Sequence, residues 1–147
     1  MMDARFTTYD PNAAGSKGLI YIGDKLLLYR RNTKTDLHPL DIDLPGGGPE
    51  GTETPFETWQ REIKEEYGLT ITPADIAACY PYSSQSRPGR TGYFFVVYFP
   101  EATAKKIVFD YAEGTEYLLL TPAEYLARTD AWEYIRNIAR RYLEPAK

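Results

Sequence analysis

Cysteine and histidine are almost missing from this chain, with one of each among 147 residues. A lone Cys79 leaves no intrachain disulfide and no cysteine-built zinc site. It is expected to act as a small core residue in a reducing compartment, and the cytoplasm is the expected location. His38, the only histidine, sits in a polar loop and reads as an ordinary exposed residue, so a histidine general base is not favoured. Long apolar runs are also missing. The longest, Tyr93 to Phe99, ends at Pro100, far short of the roughly 20 residues that cross a bilayer. The opening MMDARFTTYD carries an acid and no apolar core, so no secretory leader is expected. A basic excess is lacking too: the net charge of -4 excludes broad adhesion to nucleic acid or an anionic membrane. It leaves room for a small nucleotide whose phosphates are met locally by metal ions and a few basic side chains.

What is present fits one ordinary domain spanning residues 1–147. The 43% hydrophobic and 26% charged content is that of an average soluble protein. No repeat or low-complexity segment occurs. Residues 1–17 read as a short strand with a loose lead-in. GLIYI and KLLLYRR flank Gly23-Asp24, a hairpin signal. GYFFVVYF reads as a buried strand, and IVFDY and EYLLL as further strands.

The stretch Thr54 to Tyr67 is the clearest helix. Thr54 caps it, Pro55 suits its first position, and Glu57 completes a capping box. Phe56, Trp59, Ile63 and Tyr67 recur at three- and four-residue steps and predict one buried stripe. Gly68 supplies a left-handed stop, with Leu69 folding back toward Ile63. Thr121-Pro122-Ala123-Glu124 opens a short helix by the same logic. Asp130 with Glu133 opens the last one, whose Trp132, Ile135, Ile138 and Tyr142 form an apolar face. A mixed sheet with helices packed on its faces is the natural layering.

On the central helix Glu62, Glu65 and Glu66 fall within an arc of about 100°. Like charges this close destabilise a helix by roughly 0.2–0.5 kcal/mol per pair. They also lie toward its C-terminal half, where the macrodipole disfavours anions. A hard divalent cation reverses that penalty. From the helix alone, a solvated glutamate face partly neutralised by Arg61 and Lys64 accounts for the pattern equally well. The helix is preceded by Gly46-Gly47-Gly48, which lets backbone approach a metal or phosphate, and by Glu50 and Glu53.

Together these residues resemble the Nudix box, G-x5-E-x7-R-E-U-x-E-E-x-G-U, with U a bulky aliphatic residue. It runs here through Gly47, Glu53, Arg61-Glu62-Ile63, Glu65-Glu66 and Gly68-Leu69, without departure at any specified position. A chance match in a chain this long is well below about one in a million. The LPGG at Leu44 to Gly47 is the usual entry to that box.

The resemblance implies a fold, a site and a reaction. The fold is a mixed β-sheet sandwiched between α-helices (α/β/α). Glu62, Glu65 and Glu66 are implied as Mg²⁺ or Mn²⁺ ligands, with the Gly47 carbonyl as a further one. Arg61 would orient a metal-binding glutamate, and Glu53 would support the loop. The implied activity is hydrolysis of a phosphoanhydride in a nucleoside diphosphate linked to another moiety, by metal-activated water. Glu113 is the candidate proton acceptor outside the box, with Glu116 second, although a surface loop acid explains either as well. The alternative from another class is a non-catalytic nucleotide-sensing or partner-binding relative; the intact box and the lack of room for a second domain argue against it. Isomerisation of a prenyl diphosphate is disfavoured by the single Cys and His.

The remaining readings are plainer. Arg87 and Arg90 are read first as a solvated loop and second as phosphate contacts. Tyr29, Tyr80 and Tyr82 are candidates for stacking on a base, and most of the thirteen tyrosines read as half-buried structure. Lys105-Lys106 and Arg140-Arg141 read as surface charge. The leaving group is not encoded in the box, and homodimers are common among similar proteins.

Overall fold

A computed structural model describes residues 9–35 and 37–143. The short strand expected within residues 1–17 falls mainly on residues 1–8, outside that description; residues 9–15 are turn and irregular backbone. Seven strands follow: β1 (Ser16–Ile22), β2 (Lys25–Arg31), β3 (Ile42–Asp43), β4 (Gly46–Gly47), β5 (Ile76–Ser83), β6 (Thr91–Phe99) and β7 (Gly114–Leu120). The helices are α1 (Pro55–Tyr67), α2 (Pro122–Ala127) and α3 (Glu133–Leu143).

The β1–β2 hairpin turns at Gly23-Asp24, where Gly23 has φ 65°. The two strands pair only near that turn, at Tyr21–Leu26 and Ile22–Lys25, and then diverge. Residues 42–47 fill the wedge, β3 bonding to β2 and β4 to the start of β1. On the other side of β2 runs antiparallel β7. Strand β6 lies parallel to β1 along its whole length, and β5 pairs antiparallel with β6 at the edge. The glycine turn is thereby wedged into the sheet.

Period-two alternation divides the side chains of the central strands between two cores. Ile20, Ile22, Leu27, Tyr29, Tyr93, Phe95 and Val97 point to α1, meeting Phe56, Trp59, Ile63 and Tyr67. Their neighbours Leu19, Leu26, Leu28, Phe94 and Val96 point to the opposite face, where Tyr125 of α2 and Ile135, Ile138 and Ala139 of α3 cover them. The sheet is therefore sandwiched between helices.

Helix α1 begins and ends as its sequence dictates. The Glu57 amide donates to Thr54 Oγ1 at 3.1 Å, and Glu57 Oε1 accepts from the Thr54 amide at 2.9 Å. Gly68 takes φ 70° and donates to the Lys64 carbonyl. Trp59 seats the helix: its ring stacks on Phe95 at 5.2 Å, and Nε1 donates to the Pro45 carbonyl at 3.0 Å. A Cβ on Gly18 would lie 2.5 Å from Trp59 Cζ2 and 2.3 Å from the Phe95 carbonyl oxygen. That residue is glycine so that the indole can lie against the strand.

Two expectations are corrected, and one strand was not foreseen. IVFDY, Ile107 to Tyr111, is no strand. Its Val108 and Asp110 amides donate at 2.9 and 2.8 Å to the carbonyls of Tyr67 and Glu66, groups that the end of a helix leaves without intrahelical partners. Serving the helix, these amides are not available to a ladder. Asp130 does not cap α3: the Arg136 amide bonds to the Trp132 carbonyl, while the Asp130 carboxylate holds Arg128 and Arg30. Strand β5 was missed because Pro81 interrupts its run, which an edge strand tolerates.

Replacing Gly18 by Ala is expected to lower the denaturation midpoint by the equivalent of about 1–3 kcal/mol, and Thr54→Ala by about 1 kcal/mol. Urea titration followed by tryptophan fluorescence measures both. A Gly18→Ala protein as stable as the parent would show that the indole does not need that gap.

Candidate active site

The acids of α1 do not lie equally on its surface. Glu66 is 3% exposed, because the Ile107–Asp110 segment closes over that end of the helix. Burial raises its carboxyl well above the ordinary range, and a hydrogen bond to the Glu62 carboxylate raises it further. Glu66 Oε2 has no hydrogen-bond partner among the described residues. Glu62 occupies the space a side chain at Gly47 would take, its carboxyl carbon 2.5 Å from where that Cβ would stand. A Cβ at Gly47 would displace the Glu62 carboxylate. Glu65 faces outward, its side chain 54% exposed.

Arg61 binds the box together. Its Nε donates to Glu53 Oε2 at 2.6 Å and its Nη2 to Glu53 Oε1 at 3.1 Å, a forked pair. Nη2 also reaches the Gly48 carbonyl at 3.0 Å, and Nη1 reaches Glu62 at 3.0 Å and Glu65 at 3.2 Å. The Arg61 guanidinium holds the Glu53 carboxyl below its ordinary range. One cation thus ties the turn after β4 to Glu62 and Glu65.

Outside the box, Glu113 follows the segment docked on the helix end. Partial burial raises its carboxyl, as do the charges of Glu62, Asp110 and Glu65. Glu116 pairs with Arg30 at 3.1 Å on the surface. The Gly47 carbonyl faces Gly15, where a Cβ would stand 3.0 Å from its oxygen. Among the described residues no three acids, histidines or cysteines are gathered tightly enough to grip an ion as they stand. The donor set still fits a hard cation, which usually takes one or two carboxylates and completes its shell with water and phosphate oxygens. Glu62 and Glu66 supply two hard oxygen donors, one of them orphaned and desolvated.

A second cluster was not foreseen. Asp43, fully buried, accepts from Lys17 at 2.5 Å, Arg31 at 2.8 Å, Tyr29 Oη at 3.3 Å and the Leu44 amide at 2.8 Å. These contacts join β1, β2 and β3, so only the charge pattern of LYRR and IDL could have hinted at them. His38 takes φ 48° and stacks on Trp132 at 4.6 Å, which is more than loop exposure required. Tyr29 is buried against Asp43, and Tyr80 stacks on Tyr142 at 4.2 Å. Tyr82, Arg31, Lys17, Arg87 and Trp132 line a cleft of about 170 Å³ that reaches Gly47 and Gly48.

The Nudix domain model matches residues 15–142. Among solved structures, the chain is similar to a MutT protein from Methanosarcina mazei Go1, with TM-score 0.71 and 24% identity over 92% of this chain and 96% of that one. It is also similar to the E. coli dihydroneopterin triphosphate pyrophosphohydrolase, with TM-score 0.64 and 21% identity over 94% and 98%. A third is a bifunctional NMN adenylyltransferase/ADP ribose pyrophosphatase from Francisella tularensis, complexed with AMP and a Mn ion. Its TM-score is 0.67 at 16% identity, over 92% of this chain and 42% of that longer one. No curated protein matches by sequence. The family match extends from the lead-in to β1 through nearly all of α3 and encloses the acid helix and its glycine turn; the chain belongs to the Nudix hydrolase family.

Proposed function

We propose that this protein is a divalent-metal-dependent hydrolase that cleaves the phosphoanhydride of a nucleoside diphosphate linked to another moiety. The observation that carries the reading is Glu66: a buried carboxyl with an unpartnered oxygen, held beside Glu62 at a glycine gap. Leaving such a group unpaired costs about 1–3 kcal/mol or more, and its placement is hard to account for by folding alone. The solvated-surface reading of these glutamates does not suit a side chain this deeply buried.

Glu62 and Glu66, with Glu65 and the Gly47 carbonyl, would hold Mg²⁺ or Mn²⁺. Such an ion, when bound, neutralises phosphoryl charge and lowers the pKa of a coordinated water. Arg61 keeps Glu62 aimed at the Gly47 gap and leaves Glu53 to brace the turn. Glu113, which follows the segment docked over the helix end, would accept a proton from the attacking water. The pyrophosphatase and pyrophosphohydrolase activities named for the structural neighbours, one with a Mn ion, agree with this chemistry. No described helix is long and apolar enough to span a membrane, and the single free cysteine suits a cytoplasmic enzyme.

Glu62→Gln and Glu66→Gln are each expected to cut kcat by roughly 100-fold or more against a nucleotide panel with Mg²⁺ or Mn²⁺. Their circular dichroism should match the parent's. Full activity in both variants would sink the assignment. Nucleotide-dependent thermal stabilisation without turnover of any compound would instead make the chain a sensing module.

Added Mg²⁺ or Mn²⁺ should raise the melting temperature of the parent, chelation should reverse the rise, and Glu66→Gln should lose most of it. An equal rise in parent and variant would move the ion elsewhere. Glu113→Gln should lower kcat by roughly 100-fold while the metal-induced rise persists; unchanged kcat would remove Glu113 from the reaction.

A further inference from the structure

Glu113 has no side-chain bond to hold it. Its carboxylate has neither a cationic nor a hydrogen-bond partner among the described residues, and only burial and like charges act on it. The location of such a side chain is set by the backbone beneath it. The turn from Asp110 to Glu113 is closed within itself: the Glu113 amide donates to the Asp110 carbonyl at 3.0 Å, and the Ala112 amide donates to Asp110 Oδ1 at 2.9 Å. One side of this turn is bound to α1, the Asp110 amide donating to the Glu66 carbonyl at 2.8 Å. The other side is bound by Asn32, the residue after β2. Its Nδ2 donates to the Ala112 carbonyl at 3.0 Å across 80 positions of sequence. Asn32 Oδ1 accepts from the Lys34 amide at 3.0 Å, an Asx turn that settles which end of the side-chain amide faces Ala112.

The ladder between β2 and β7 is disturbed at the same place. Arg30 pairs with Glu116 but Arg31 pairs with Gly114, so Thr115 is an extra residue in β7. A bulge of this kind bends the strand and interrupts its pairing. A Cβ on Gly114 would lie 2.6 Å from the Arg30 carbonyl oxygen and 3.2 Å from Phe109 Cζ; glycine lets the exit of the turn lie against β2. The Asn32 bond therefore stands where regular pairing gives out. Asn32 and Glu113 also line one cleft of about 280 Å³, so the carboxylate borders open space. Resting on the reading of Glu113 as proton acceptor, we propose that Asn32 is a positioning residue. Its side-chain amide clamps the Asp110–Glu113 turn to the end of β2 and thereby holds the Glu113 carboxylate where proton transfer requires it.

Two measurements on the whole protein test this. Amide hydrogen exchange followed by NMR needs no substrate. Asn32→Ser keeps an acceptor for the Lys34 amide but is too short to reach Ala112. It should speed exchange of the Ala112 and Glu113 amides by about tenfold, while the Val108 amide, bonded to Tyr67, exchanges as in the parent. Unchanged exchange at Ala112 and Glu113 overturns the clamp; equal acceleration at all three amides makes Asn32 a general support and overturns its specific role. Kinetics with a hydrolysed nucleotide separates positioning from folding. Asn32→Ser should lower kcat by roughly tenfold with KM within about twofold of the parent, and in the Glu113→Gln background it should lower kcat no further. An equal loss in both backgrounds overturns the proposal. Full activity in Glu113→Gln overturns the proton-acceptor reading and the positioning role with it. A loss in Glu113→Gln with none in Asn32→Ser overturns the positioning role alone.

Discussion

The seat of Trp59 is the contact on which the rest of the site depends. The indole lies against β1 where Gly18 has no side chain, stacks on Phe95 and donates to the Pro45 carbonyl. Those three contacts fix the height and rotation of α1 on the sheet and its distance from the glycine turn. Glu62 and Glu66 follow Trp59 by three and seven residues, so they share its side of the helix. Their depth is a consequence of that packing. A polar helix lying loosely on the surface would leave the same glutamates in water, where their mutual repulsion is screened and carries no chemistry.

Closing the C-terminal end of α1 has two effects. The Val108 and Asp110 amides satisfy the Tyr67 and Glu66 carbonyls, which is structural economy at a helix end. The same docking shuts Glu66 away from solvent, and Glu113 follows the docked segment. Stability and the candidate chemistry are therefore coupled through backbone bonds, without dependence on the identity of Val108, whose side chain is mostly exposed.

The parts legible in sequence were those encoded locally. The caps of α1 and α2, the apolar stripe of α1 and the Gly23-Asp24 turn each rest on a few adjacent residues, and the structure contains all of them. Family membership was legible because the box confines its specified positions to 23 residues. What escaped was set by pairing across the chain. Pro81 hid β5, since only its place at the sheet edge makes proline acceptable there. IVFDY has strand composition, yet its amides go to α1. Asp130 reads as a cap and instead holds Arg30, a hundred residues away. The Lys17–Asp43–Arg31 cluster belongs to the same class, because three short strands must first converge.

The wedge between β1 and β2 shows why that last omission bears on function. Diverging strands leave a gap that residues 42–47 enter, and their entry places Asp43 and the glycine turn side by side. One end of the insertion concentrates positive charge around a single carboxylate; the other end gives Glu62 a vacancy to occupy. A chain with net charge -4 thus segregates its charges locally, with acids on one side of a narrow glycine backbone and surplus cations lining the other cleft. Water screens such a separation poorly when both groups are largely buried.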